Sequence, residues 1–362
     1  MNVKRTRVLV VEDSLTVRKR VVEALSADPE LEVVGEAEDG GRGVELCQAL
    51  RPDVVTMDMM MPVATGLAAT EQIMARCPTP ILIVSASVNR TEGLQTFDAL
   101  AAGAVDVLDK PVIGEPSVAW ARKLCAAVKM TARIRVIRRP CRRASAEPAR
   151  PDQPETARRA SRLAPRLVVI GASTGGPVAV ARVLRGLPAR YPLPVLLVIH
   201  VSPLFGASLA EWLGQQCSLP VRLADGDVPL PPLGVPGVIM APPDRHLVVQ
   251  GGRLRLDAGA ERHSCRPSVD VLFESAARDV GERVIGCLLT GMGVDGAAGL
   301  AAIHRAGGET IAQDEATSEI SGMPREAVRL GAAARVLPID RIGPALALAA
   351  EPPRAAIRGV PR

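Results

Sequence analysis

Aromatic side chains are scarce: two Trp, one Tyr and three Phe make up 2% of the 362 residues. Proteins that grip single-stranded nucleic acid stack its bases on aromatic faces, and no such platform is available here. No apolar run approaches the roughly 18 residues that a membrane span needs; runs such as Leu167–Ala172 and Val195–Ile199 have the length of strands. The opening MNVKRTRVLVVEDS carries only the short apolar run Val8–Val11 before two acids, too little for a secretory leader. Seven cysteines form an odd set with no Cys-x-x-Cys pair, which suits neither a disulfide framework nor a zinc knuckle. These absences lead us to expect a soluble, cytoplasmic protein with no membrane insertion.

What is present is globular: 48% hydrophobic and 23% charged residues, in a chain too long for one ordinary core. The net charge of +5 is misleading. Between Arg138 and Arg166 there are nine arginines against Glu147, Asp152 and Glu155, so this one stretch outweighs the excess of the whole chain. The remainder is close to neutral and offers no basic face for nucleic acid. The stretch is rich in Arg, Pro and Ala and poor in large apolar residues. It cannot bury enough surface to offset its ordering entropy, and reads as a linker between two domains.

Before the linker, Val8–Val11, Val33–Glu36, Val54–Met57, Ile81–Val84 and Val105–Leu108 are strand candidates, separated by segments of helical spacing such as Val17, Val21, Val22, Leu25. Near-continuous apolar strands alternating with helices predict a parallel sheet covered on both faces. In such a sheet the residues after the strands share one edge. These are Glu12 and Asp13, Asp58, Ser85, and Lys110-Pro111. Neighbouring carboxylates repel unless a cation lies among them, and carboxylate with water suits Mg²⁺. A lysine and a hydroxyl suit a phosphoryl group, and a carboxylate held beside Mg²⁺ can act as a nucleophile toward phosphorus.

This ordered set resembles the receiver domain of two-component response regulators over residues 1–125. The resemblance implies a flavodoxin-like α/β fold, with Asp58 as phosphoacceptor and Mg²⁺ at Glu12, Asp13 and Asp58. Ser85 and Lys110 would contact the phosphoryl group. One departure stands out: the family often carries an aromatic switch residue three positions before the lysine, where this chain has Val107.

After the linker, the strand Leu167–Ile170 leads into Gly171-Ala172-Ser173-Thr174-Gly175-Gly176-Pro177 and a helical stretch. A Gly-x-Ser-x-Gly turn between strand and helix exposes a serine hydroxyl at a sheet edge. Free N–H groups at the helix start can stabilise an oxyanion. A phosphate-binding glycine loop and a plain tight turn remain as alternative readings; no lysine follows as a P-loop requires, and Gly-x-Gly-x-x-Gly spacing is absent. Of His200, His246, His263 and His304, only His200 ends a buried strand, Val195–Ile199, and so emerges at the edge that carries Ser173. The strand Ile285–Leu289 runs into a second glycine-rich turn, Thr290-Gly291-Met292-Gly293-Val294-Asp295. Asp295 there either orients an imidazole or caps a helix. Backbone N–H groups around Met292 are candidate oxyanion donors. The order Ser, His, Asp differs from the Ser, Asp, His of the α/β-hydrolases, which argues against that fold.

GASTGGP, the strand-ending His200, APPDRHLVV, CRPSVDVLFESAA, LLTGMGVDGA and AQDEATSEISGMPREA together resemble the catalytic domain of the chemotaxis protein-glutamate methylesterase (CheB) family over residues 166–348. The resemblance implies a doubly wound, mostly parallel α/β domain, with 126–165 as helical exit and linker and 349–362 as a tail. It implies Ser173 as nucleophile, His200 as base and Asp295 as orienting acid, with Met292 at the oxyanion position and Thr174 beside the nucleophile. After His200 the family usually reads Met-Pro; here Val201-Ser202-Pro203 follows. The implied reaction is hydrolysis of glutamate γ-methyl esters on chemotaxis receptors, with glutamine deamidation as a second activity. It needs no cofactor for ester hydrolysis, and a chemotaxis histidine kinase would be the phosphodonor for Asp58. A reading of a different class is a receiver-controlled adaptor that binds receptors through a catalytically silent second domain.

Overall fold

The computed structural model describes residues 5–86, 89–111, 117–134, 136 and 163–351. Most of the linker and the tail beyond 351 lie outside the described residues. Among those described, no helix is long and apolar enough to cross a membrane. The chain divides into two compact units, Met1–Arg159 with Val201–Trp212, and Ala160–His200 with Leu213–Arg362.

The first unit alternates strand and helix throughout its N-terminal part: β1 (Thr6–Val11), α1 (Leu15–Ser26), β2 (Leu31–Ala37), α2 (Gly40–Leu50), β3 (Val54–Met57), α3 (Gly66–Arg76), β4 (Ile81–Ser85), α4 (Arg90–Ala102), β5 (Asp106–Asp109) and α5 (Ser117–Thr131). The five strands are parallel in the order β2-β1-β3-β4-β5, the flavodoxin-like order. Helix starts follow local chemistry. Ser14, Asp39, Thr65 and Asn89 each accept a backbone N–H from the first turn of α1, α2, α3 and α4. The central strands are covered on both faces, so Val54, Val55, Ile81 and Ile83 are fully buried. Each such side chain contributes about 1.5–3 kcal/mol relative to exposure. The last strand begins at Asp106 rather than Val105. The Val105 N–H already bonds to the Ile81 carbonyl, and ladder pairing with β4 starts one residue later.

The second unit is built on a wholly parallel seven-stranded sheet. Its strands are β6 (Leu167–Ala172), β7 (Val195–Ile199), β8 (Val221–Leu223), β10 (Val238–Met240), β13 (Val284–Leu288), β14 (Glu309–Gln313) and β15 (Arg335–Leu337), in the order β15-β14-β13-β6-β7-β10-β8. A separate antiparallel sheet, β11-β12-β9, is formed by β9 (Val228–Pro229), β11 (His246–Gln250) and β12 (Arg253–Asp257). The helices of this unit are α6 (Gly176–Arg185), α8 (Val269–Val280), α9 (Ala297–Arg305), α10 (Gly322–Arg329) and α11 (Ile339–Ala349), while α7 (Gly206–Gln216) belongs to the first unit up to Trp212 and to the second from Leu213.

Two features position the site. The strand order places β6 between β13 and β7, so the residues after these three strands are neighbours. The first residue of α8, Val269, packs directly on Gly171 near the end of β6, where a Cβ would come within 2.2 Å of Val269 Cγ1. Only glycine lets the start of α8 sit so close to the strand end.

Candidate active site

Ser173 follows β6 in a turn pinned from two sides. Its N–H donates to the Thr290 carbonyl at 3.0 Å, and its carbonyl accepts from Gly176 N–H at 2.7 Å. Gly175, with φ +74°, takes the left-handed conformation that starts α6. The Glu319 side chain packs where a Gly175 Cβ would be, 2.7 Å from Cγ. An acidic side chain on the loop disfavours the phosphate-loop reading. Thr174 is buried, and its carbonyl accepts from the Thr290 hydroxyl at 3.0 Å.

His200 leaves β7 with its N–H on the Ala172 carbonyl, one residue before Ser173. Its Nε2 meets Asp295 Oδ2 at 2.9 Å. Asp295 is only 2% exposed. It is not the cap of α9, whose N-cap is Gly296. Instead its carboxylate receives the start of a different helix, α8. The Ser268 hydroxyl donates at 2.8 Å, Val269 N–H at 2.7 Å and Asp270 N–H at 3.0 Å, with Gly296 N–H at 3.1 Å. Burial alone would raise the carboxyl of Asp295, but the His200 imidazole and these donors outweigh it and hold the group below the ordinary carboxylate range. Burial works downward on His200; its bonds to Asp295 and Cys265 prevail and bring the imidazole up to about 9.

With Nε2 engaged by Asp295, Nδ1 is the ring nitrogen left to accept a proton. It faces the Cys265 thiol at 3.7 Å. Among the described residues no hydrogen bond joins Ser173 Oγ to His200. Gly291 brings the second turn against the first: a Cβ there would lie 2.7 Å from Ser173 Cβ and 2.2 Å from Met323 Sδ. Met292 is 57% exposed beside this contact, and Gly291 N–H is bonded to the Ile320 carbonyl. The other histidines are engaged elsewhere. His246 is buried, accepts Ser268 N–H at Nδ1 and donates from Nε2 to the Ala260 carbonyl. His263 meets Asp270 at 3.0 Å, and His304 meets the Thr310 hydroxyl at 3.5 Å.

In the first unit Glu12 and Asp58 are 2% and 1% exposed, and Lys110 Nζ bridges them at 3.0 and 2.8 Å. Burial, reinforced by Asp58, pushes the Glu12 carboxyl up to about 7. Burial also raises Asp58, with Lys110 acting against it. Oxygens of Glu12, Asp13 and Asp58 lie within 4.8 Å of one another, and Asp58 Oδ2 is buried with no hydrogen-bond partner. An orphaned carboxylate oxygen within a set of hard oxygen donors fits Mg²⁺. Ser85 reaches the same edge, but its hydroxyl is bonded to Glu92.

The response regulator receiver domain family model matches residues 8–118, and the CheB methylesterase model matches 168–346. A protein of Anaeromyxobacter dehalogenans named protein-glutamate methylesterase/protein-glutamine glutaminase 2 is 46% identical over 344 residues, covering 94% of this chain and 96% of its own. A protein of Nitrosospira multiformis named protein-glutamate methylesterase/protein-glutamine glutaminase is 43% identical, covering 94% and 95%. The chain belongs to the CheB methylesterase family. Among solved structures, the Thermotoga maritima CheB methylesterase catalytic domain is 34% identical, covering 51% of this chain and 99% of that one, with a TM-score of 0.48.

Within this family member, reading the sequence missed the parts of the site that come from CRPSVDVLFESAA. That segment carried the resemblance, yet no single residue in it had a role. Cys265 lies against the imidazole, and Ser268 bonds Asp295 with its hydroxyl while capping α8. A serine before a helical run does signal an N-cap. Nothing local says which carboxylate that helix start will face.

Proposed function

We propose that this CheB family member hydrolyses glutamate γ-methyl esters of chemotaxis receptors in the cytoplasm, releasing methanol, under control of Asp58 phosphorylation. The observation that carries the reading is the His200–Asp295 pair at 2.9 Å beside the Ser173 turn. Ser173 Oγ attacks the ester carbonyl and His200 Nδ1 takes its proton. Asp295 holds the ring and stabilises the imidazolium. Backbone N–H groups of the Ser173 and Met292 turns, with Thr174 beside the nucleophile, hold the oxyanion. The tetrahedral intermediate collapses, His200 returns the proton to the leaving oxygen, and methanol departs. Water, deprotonated by His200, then cleaves the glutamyl ester and restores Ser173. Glutamine deamidation follows the same route with ammonia as the leaving group.

In the receiver, which we take as 1–125 with 126–165 joining it to 166–348, an Asp58 oxygen attacks the phosphorus of a kinase phosphohistidine. The imidazole leaves and an acyl phosphate forms. Glu12, Asp13 and Asp58 would hold Mg²⁺, which when bound supplies positive charge against the phosphoryl oxygens. Lys110 adds a second positive charge at Asp58.

The test is methanol release from methylated receptors with and without a phosphodonor. Ser173→Ala should lower the rate by about three orders of magnitude or more, and Asp58→Asn should keep the basal rate while losing stimulation. Full turnover by Ser173→Ala would remove the nucleophile. A purified protein that fails to label with an active-site serine probe would favour the silent adaptor.

A further inference from the structure

Ser85 stands at the end of β4, the strand that pairs with β3 ahead of Asp58. Its Oγ donates to Glu92 Oε1 at 2.6 Å. The next backbone donor, Ala86 N–H, reaches the same oxygen at 3.1 Å. Ser85 and Glu92 are both buried. One anionic oxygen thus takes an O–H and an N–H at the end of a strand adjacent to Asp58. A phosphoryl oxygen would ask for the same pair of donors.

We propose that Glu92 is a positioning residue of the phosphorylation site: a resident anion that holds the Ser85 hydroxyl and Ala86 N–H until a phosphoryl group on Asp58 takes them. The proposal rests on the reading of Asp58 as phosphoacceptor. Glu92 lies in the first turn of α4. Its own N–H is bonded to the Asn89 cap at 2.9 Å, and its carbonyl accepts from the Thr96 hydroxyl at 2.9 Å. Displacing its carboxylate therefore acts on the start of α4. This link leads out of the phosphorylation pocket without an aromatic ring at position 107, where the chain has a half-buried Val107.

The test titrates the full-length chain, in saturating Mg²⁺, with beryllofluoride, an anion that mimics a phosphoryl group on a carboxylate. Binding is followed by tryptophan fluorescence; Trp120 Nε1 bonds the Asp109 carbonyl next to Lys110. Glu92→Gln should bind about tenfold more tightly than the unaltered chain, because the charge-assisted competitor is gone. The gain should vanish when Ser85→Ala is added. Equal affinity in Glu92→Gln and the unaltered chain would overturn the proposal. So would an equal gain in the Ser85→Ala background, which would mark a plain charge effect. If Glu92→Gln does not fold, Glu92→Asp serves, since it keeps the charge but withdraws the oxygen, and tighter binding is again expected. Failure of the underlying reading looks different: Asp58→Asn would then bind beryllofluoride as well as the unaltered chain does.

Discussion

His200 and Asp295 are joined Nε2 to Oδ2 at 2.9 Å, which leaves Nδ1 as the nitrogen that would take a proton in the proposed reaction. A base must be neutral to accept a proton, and the bonds from Asp295 and Cys265 hold this imidazole up to about 9. Hydrolysis should therefore rise as pH increases through that value and fall away below it. Asp295→Asn removes the anion and lets burial pull the imidazole down. The acid limb of the pH–rate profile should move to lower pH, while the plateau falls by about three to four orders of magnitude. An unmoved limb would count against His200 as the base.

Ser268 has two jobs: its hydroxyl bonds Asp295 at 2.8 Å and also caps α8 by accepting Val271 N–H. Ser268→Ala should cost about 1 kcal/mol of stability through the lost cap. It should also lower kcat/KM by about tenfold by loosening Asp295. Thermal unfolding and esterase rates measured on the same preparation separate the two effects. Lost stability with an unchanged rate would leave Ser268 a cap only.

The Cys265 thiol lies 3.7 Å from Nδ1. A group attached to that sulfur would crowd the nitrogen that the proposed mechanism brings to the Ser173 hydroxyl. Iodoacetamide should inactivate the unaltered enzyme, whereas Cys265→Ser should keep most of its activity and resist the reagent. Equal sensitivity of the two would place the responsive thiol elsewhere.

Gly291→Ala would push a methyl group to within 2.7 Å of Ser173 Cβ and 2.2 Å of Met323 Sδ, so something must give. A displacement of the nucleophile of about 1 Å can cost about 10²-fold in rate. The expected result is a folded protein with kcat reduced on that scale and binding of the receptor substrate largely retained. A normal kcat would mean that Met323 alone moves aside.

The sequence by itself determined the strands that carry the chemistry and the edge on which it gathers, but not β8, β10, β14 and β15 or the antiparallel β11-β12-β9 sheet. Buried parallel strands need near-continuous apolar runs, so Val54–Met57 and Val195–Ile199 match the observed strands residue for residue. The polar groups that follow such runs must emerge where the strands end, which is why Asp58, Lys110, Ser173 and His200 were legible one after another. Tertiary structure alone decided what they meet. His200 and Asp295 are 95 residues apart, and they touch because β6 separates β7 from β13 by one strand. Apolar periodicity reports whether a segment is buried and carries no record of strand order. The start of α8 serves Asp295 because Val269 fits over Gly171, and Ser85 turns to Glu92 because the first turn of α4 passes over the end of β4. The Asp295 contacts depend on packing between segments distant in the chain, where the energy of a contact has no local signature; Glu92 is close to Ser85 in sequence, but only the way the chain turns from β4 into α4 brings the two together.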